Sequence, residues 1–119
     1  MDVQIYGIKN CDTMKKAFQL FEREKVEYQF LDYKKMAPDK SLLIHFLERV
    51  SLEDLINKRG TTYRNLKDED KELLKSPDTA IPLLISHSSM IKRPIIQFPT
   101  GEILIGLNEK EILERMKYW

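Results

Sequence analysis

The first 33 residues of the chain show two kinds of hydrophobic periodicity. Residues 3–7 have the alternating apolar pattern of a strand, and an aromatic-rich strand pattern covers residues 28–33. Between them, apolar side chains spaced along one helical face predict a helix from Thr13 to about Glu24: Met14, Ala17, Phe18 and Phe21. A strand, a helix and a strand in about 30 residues predict a βαβ unit, with parallel strands and a right-handed crossover.

The middle of the chain, at about 38–90, predicts a helical insertion. Pro38 and Asp39 begin its first helix, because proline suits the first turn and aspartate can accept from a free N–H group. Further helices are predicted over 51–56, 68–75 and 77–88. Residues 61–66 are predicted to form a loop, and Pro82 is predicted to kink or restart the last helix of the insertion.

The end of the chain predicts a hairpin and a last helix. Residues 95–98 and 102–105 flank Pro99-Thr100-Gly101 as two strands flank a turn. Asn108 precedes the helix as an N-cap, and Tyr118 and Trp119 are predicted to pack its end down. The order β-α-β, helical insertion, β-β-α fits a four-stranded mixed sheet with helices on both faces, which is the order of a thioredoxin-like α/β fold.

Length and composition indicate one domain over residues 1–119. The chain has 20 Lys and Arg against 19 Asp and Glu, a net charge of +1, so nothing favours a nucleic-acid or membrane partner. It has no span-length apolar run and no signal-peptide pattern at its start. Its single cysteine cannot form an internal disulfide, which favours a cytoplasmic location. A monomer is the default expectation.

That cysteine, Cys11, lies where the first strand passes into the first helix. Helix N–H groups and the positive end of the helix dipole point outward there, so a thiol is favoured as the thiolate. Lys9 and Lys15 are expected to strengthen this effect and Asp12 to oppose it. The alternative is a small buried hydrophobic residue. The polar neighbours, which include Asn10 and Thr13, favour a reactive thiol over a core position.

Three segments resemble the ArsC family, the arsenate reductase-like branch of the thioredoxin fold, and within it the YffB-like group. The segments are residues 7–17 around Cys11, the middle motif at 57–64, and Met90-Ile91-Lys92-Arg93-Pro94-Ile95-Ile96. In the middle motif, Tyr63 stands where tryptophan is usual. Together with the order of elements, the similarity covers almost the whole chain.

The resemblance implies a pocket in which Cys11 is the nucleophile. Arg93 would bind the substrate from the loop before the third strand, and Pro94 would be a cis-proline facing the thiol. Arg59 would supply a second cation from the middle motif, unless Asn57 occupies the aligned place. Lys9, Asn10, Thr13 and Lys15 complete the predicted substrate-binding residues. The alternatives are an ordinary surface Arg93, a trans Pro94 opening an edge strand, and a solvated rim that includes Arg59.

The chain departs from arsenate reductases of the family at three places. Gly7 stands where they have a histidine, and Lys15 replaces an arginine with a point charge that cannot bind an oxyanion through two parallel N–H groups. Residues 106–108 lack the third substrate arginine. Fewer guanidinium groups mean weaker capture of a tetrahedral oxyanion.

The predicted function is therefore a glutathione-dependent monothiol oxidoreductase that reduces disulfides or oxyanions through Cys11. Glutathione would be the co-substrate, glutaredoxin is a possible partner, and no bound cofactor is expected. One cysteine and two separated histidines give no metal-site spacing, and there is no glycine-rich phosphate loop. The alternatives are a regulator like Spx that binds RNA polymerase, with Met14 replacing the second cysteine of its usual switch, and an arsenate reductase proper.

Overall fold

The computed structural model describes residues 2–119, apart from the side chain of Tyr118. The first elements are β1 (Val3–Gly7), α1 (Asp12–Arg23) and β2 (Tyr28–Asp32). The helical segment then contains α2 (Lys40–Leu47), α3 (Leu52–Leu55), α4 (Thr61–Arg64), α5 (Asp68–Leu73), α6 (Pro77–Ser86) and a 3-10 turn (Ser88–Met90). The last elements are β3 (Ile95–Gln97), β4 (Ile103–Ile105) and α7 (Glu109–Tyr118).

These elements form two compact units. The first consists of the residues up to Met36 together with Arg93–Trp119, and the second is Ala37–Lys92. The first unit holds the whole sheet with α1 and α7, and the second holds α2 to α6. The prediction of a single domain over the whole chain stays a prediction.

The sheet of the first unit has four strands in the order β2-β1-β3-β4. The strands β1 and β2 are parallel, whereas β3 is antiparallel to both β1 and β4. In register, one apolar row crosses all four strands: Phe30, Ile5, Ile96 and Leu104. This mixed sheet with its β-α-β and β-β-α segments confirms the predicted thioredoxin-like fold.

The core of the first unit lies between this apolar row and one face of α1. The predicted helical face is confirmed, because Met14, Ala17 and Phe21 are fully buried. Phe18 is half-buried at its edge and stacks on Tyr28 with 5.4 Å between ring centroids. Burying a side chain such as Phe21 stabilises the fold by roughly 1.5–3 kcal/mol. The periodicity of α1 therefore fixes which side of the helix faces the sheet.

The final helix packs onto the same core. Ile112 of α7 is fully buried in a cluster with Val3, Ile5 and Phe98. The predicted cap is confirmed, because Asn108 Oδ1 accepts from the N–H of Glu111 at 3.1 Å. Trp119 lies 5.6 Å from Phe98 between ring centroids, and the packing predicted for Tyr118 falls outside the described residues.

The second unit differs from the predictions in its loops. Residues 61–66 are not all loop, because Thr61–Arg64 form the short helix α4, and the N–H of Arg64 donates to the Gly60 carbonyl at 3.2 Å. No residue of α4 is buried, so it has no apolar periodicity to reveal it. Pro82 is exposed, and α6 continues through it to Ser86.

No helix in the described part of the chain is long and apolar enough to cross a membrane.

Candidate active site

Cys11 is the N-cap residue of α1. Its backbone is extended, with φ −142° and ψ 130°, and its carbonyl accepts the first helical hydrogen bond from Lys15 N–H at 3.0 Å. The side chain is half-buried at the edge of the core cluster. An N-cap side chain lies beside the unpaired N–H groups of the first helical turn. The strand-to-helix junction predicted from the sequence therefore brings the thiol to the donors of α1.

The electrostatic surroundings favour the thiolate form of Cys11. Partial burial raises the pKa of the thiol, but the backbone N–H groups of Met14 and Thr13 lower it, as do the charge of Arg93 and the hydroxyl of Thr13. The net result is a pKa below the ordinary value of 9.0. The thiolate is the nucleophilic form of cysteine, so this position suits chemistry at sulfur.

The predicted lysines contribute differently from expectation. Lys9 and Lys15 are exposed, and neither is among the described groups that lower the pKa of Cys11. Water screens the charge of an exposed ammonium group. Closeness to Cys11 in the sequence is therefore not enough for a lysine to lower the pKa of the thiol. Asn10 is exposed as well. The part of Lys9, Lys15 and Asn10 in substrate binding stays a prediction, whereas the charge of Arg93, which precedes β3, lowers the pKa of the thiol.

The Arg93–Pro94 peptide bond is cis, as the family resemblance implies. Pro94 is buried, and its carbonyl accepts from the N–H of Gly106 at 2.8 Å. This bond ties the start of β3 to the end of β4. Arg93 is half-buried at the start of β3. Since β3 lies next to β1, the side chain of Arg93 lies close to the end of β1, where Gly7 leads to Cys11.

Gly7 is a place of close packing between β1 and α1. A Cβ atom at this position would lie 2.7 Å from Sδ of Met14 and 3.7 Å from Cβ of Arg93. Met14 is fully buried. Its thioether therefore fills the space into which a side chain at position 7 would extend. This packing gives a physical reason for glycine where arsenate reductases of the family have histidine.

Arg59 belongs to the second unit. It is exposed in the segment between α3 and α4, and its backbone N–H donates to Oδ1 of Asn57 at 3.2 Å. Asn57 is itself held by a bond from its N–H to the Met90 carbonyl at 2.7 Å. The assignment of Arg59 to the site stays a prediction. Among the described residues, no cluster of His, Cys, Asp and Glu could hold a metal ion.

Sequence reasoning missed Tyr33, which directly follows β2. Its N–H donates to the Gly7 carbonyl at 2.8 Å, and its side chain is only 5% exposed. Burial and the neighbouring Tyr6 raise the pKa of Tyr33, whereas Arg93 lowers it. The sequence signal was weak, because an aromatic residue at the end of a strand is ordinarily a core residue.

A mixed sheet of this topology, with a cysteine at the start of α1 and a cis-proline before β3, defines a thioredoxin-like protein. The model of the ArsC family matches residues 6–115. The chain therefore belongs to the ArsC family.

Individual relatives agree with this assignment. An uncharacterised protein of Haemophilus influenzae is 40% identical over 109 residues, which cover 92% of this chain and 94% of the relative. The solved structure of a protein designated YffB has a TM-score of 0.87 and 35% identity, covering 94% of this chain and 96% of that one. An arsenate reductase (ArsC) related protein from Brucella melitensis has a TM-score of 0.75 and 38% identity, covering 98% and 96%.

Proposed function

We propose that the protein is a monothiol oxidoreductase that uses glutathione as its reducing co-substrate. The observation that carries this proposal is the half-buried Cys11 thiol at the start of α1, with a lowered pKa and Arg93 as its charged neighbour. Membership of the ArsC family supports a thiol-based oxidoreductase in general. We choose glutathione as the co-substrate because its carboxylates are suitable ligands for the guanidinium of Arg93.

The proposed reaction has two thiol–disulfide exchanges. The Cys11 thiolate attacks the glutathione sulfur of a mixed disulfide substrate, the S–S bond breaks, and the substrate leaves as a thiolate that takes a proton from water. A second glutathione thiolate then attacks the glutathione sulfur bound to Cys11. This step releases glutathione disulfide and restores the Cys11 thiolate. The net change reduces the substrate sulfur to a thiol and oxidises one glutathione thiol, which joins the glutathione unit that was already in the mixed disulfide.

An external thiol is needed because the chain contains a single cysteine. Met14, which stands where Spx-type proteins carry a second cysteine, is fully buried and cannot resolve a disulfide. The reaction therefore requires a compartment rich in reduced glutathione, such as the cytoplasm. Lys9, Asn10, Thr13 and Lys15 would complete the contacts to the peptide part of glutathione, with Arg93 binding a carboxylate.

Arsenate reduction is less well supported by the site. Met14 fills the space beside Gly7, Lys15 is exposed, and residues 106–108 supply no guanidinium. Tight binding of a tetrahedral oxyanion ordinarily relies on several paired N–H donors. A disulfide needs fewer such contacts, because its reacting atom is an uncharged sulfur.

The test is to incubate the protein with glutathione disulfide and to measure its intact mass. We expect one glutathione per chain on the wild-type protein and none on Cys11→Ser. The matched control is Met14→Leu, a volume-conserving change in the same helical turn that keeps the thiol. Adding reduced glutathione should remove the adduct and restore the free thiol. A wild-type protein that gains no adduct at a pH above the thiol pKa would contradict the proposed function.

A further inference from the structure

The side chain of Tyr33 is buried at the end of β2 with an unsatisfied polar group. Its hydroxyl is inaccessible to solvent and has no hydrogen-bond partner among the residues that the structure describes. Such groups are rare in folded proteins, because burial removes water without supplying a replacement. A hydroxyl in this situation can still accept a hydrogen bond if a neighbouring donor serves as its partner.

The groups around Tyr33 identify that partner. Burial and the neighbouring Tyr6 raise the pKa of Tyr33, so its hydroxyl stays neutral near neutral pH, and Arg93 is the cation that acts on it. The Tyr6 hydroxyl already donates to Oε1 of Gln4 at 3.2 Å. Tyr33 and Arg93 both adjoin Gly7: its carbonyl accepts from the Tyr33 N–H at 2.8 Å, and a Cβ atom built on it would lie 3.7 Å from Cβ of Arg93. The guanidinium of Arg93 is the donor-rich group in this neighbourhood.

Arg93 also has the donors needed for two partners. Its charge acts on both Tyr33 and Cys11. No carboxylate forms an ion pair with it among the described residues. A guanidinium carries five N–H donors in a rigid planar fork, so it can bind an anion and still donate one N–H to a hydroxyl oxygen.

We propose that Tyr33 is a positioning residue for Arg93: its Oη accepts one N–H of the guanidinium while the remaining donors bind a carboxylate of the glutathione substrate. This inference rests on the proposed function and names how the charged part of the substrate is bound. An arginine side chain loses rotamer freedom when it holds an anion. A fixed acceptor on the other side of the guanidinium restricts it to the orientation that binds the carboxylate. The reaction of a charged substrate with Cys11 is therefore faster, and that of an uncharged substrate is unchanged.

The test compares Tyr33→Phe with Tyr6→Phe, a matched removal of a hydroxyl from a similarly buried tyrosine of the first unit. The readout is the second-order rate constant for adduct formation at Cys11, measured with glutathione disulfide and with the uncharged bis(2-hydroxyethyl) disulfide. We expect Tyr33→Phe to slow the reaction with glutathione disulfide by about 5- to 30-fold. The rate with the uncharged disulfide should be unchanged, and Tyr6→Phe should affect neither.

A double-mutant cycle tests whether Tyr33 acts through Arg93. In an Arg93→Met background, Tyr33→Phe should cause no further loss, because the group it positions is gone. A loss of the same size in that background overturns the inference, and so does an equal loss with both disulfides. These results would leave the proposed function intact. If the wild-type protein gives an adduct with the uncharged disulfide and none with glutathione disulfide, both proposals are wrong.

A second measurement does not depend on the folding of any variant. In the structure of the mixed disulfide between wild-type Cys11 and glutathione, an Arg93 nitrogen should lie within about 3.2 Å of Tyr33 Oη. The same guanidinium should contact a glutathione carboxylate. A bound carboxylate with Arg93 turned away from Tyr33 overturns the inference.

Discussion

At the scale of single residues, the reactivity of Cys11 depends on donors from two distant parts of the chain. The N–H groups of Met14 and Thr13 belong to the helix that begins at the cysteine, whereas Arg93 comes from the segment before β3. The backbone donors are fixed by the helix itself. The charge of Arg93 and the hydroxyl of Thr13 are contributions that a single substitution can remove, and Arg93 offers the clearer test because it lies outside the helix.

We predict that Arg93→Met raises the pKa of Cys11, because the substitution removes a cation that favours the thiolate. The measurement is the rate of alkylation by iodoacetamide as a function of pH, which reports the thiolate fraction. Lys15→Met is the matched control, since it removes an exposed cation from the same site, and its profile should match that of the wild-type protein. Profiles that shift equally in both variants would contradict the specific role of Arg93.

At the scale of secondary-structure elements, the site depends on how closely α1 approaches the end of β1. Gly7 lacks a side chain, and the thioether of Met14 occupies the space that a Cβ would need. The approach brings the first turn of α1, and with it Cys11, next to the segment that carries Arg93. The N-terminus of α7 is capped by one side chain, Asn108.

We predict that Gly7→Ala destabilises the protein by about 1 kcal/mol, at the low end for overpacking, because the added methyl group displaces the flexible but buried thioether of Met14. The free energy of unfolding from urea denaturation measures this loss. Gly7→Ala combined with Met14→Ala should cost less than the sum of the two single variants, since the shorter side chain makes room for the methyl. Strict additivity would show that Met14 is not the obstacle.

We predict that Asn108→Ala costs about 1 kcal/mol of stability, because the N–H of Glu111 loses the acceptor that caps α7. Asn108→Asp is the control and should stay within about 0.5 kcal/mol of the wild-type value, since aspartate supplies an equivalent acceptor. Both values come from the same urea titration. An equal loss in the two variants would mean that the cap does not stabilise this helix.

At the scale of the whole molecule, the chemistry of Cys11 is linked to the stability of the fold. The pKa of its thiol is lowered in the folded protein, so the folded state binds the proton more weakly than the unfolded state does. The thiolate therefore stabilises the fold fully above the ordinary pKa of 9.0, and this contribution is lost as the pH falls through the lowered value.

We predict that the stability difference between wild-type protein and Cys11→Ser changes with pH in favour of the wild-type protein. The gain should develop as the pH rises through the lowered pKa and be complete above the ordinary value of 9.0, because serine does not titrate in this range. The free energy of unfolding of both proteins, measured at several pH values, tests this. A difference that is constant across the range would contradict a lowered thiol pKa.

The sequence alone determined the local elements that carry the thiol. Alternating and helical periodicities are short-range properties, so β1, α1, β2 and the cap at Asn108 were predictable, and the position of Cys11 at the start of α1 followed. The family resemblance added the cis bond before Pro94 and the candidacy of Arg93. The short helix α4 was missed because none of its residues is buried, which leaves no pattern to detect.

Tertiary structure decided which charges and hydroxyls surround that thiol. Lys9 and Lys15 are near Cys11 in the sequence but exposed to screening water, whereas Arg93, 82 positions later than Cys11, acts on its pKa because β3 pairs with β1. The buried hydroxyl of Tyr33 likewise has no sequence signature, since periodicity indicates that a ring is buried and not whether its oxygen finds a partner. Both depend on long-range strand pairing, which the local pattern of residues does not encode.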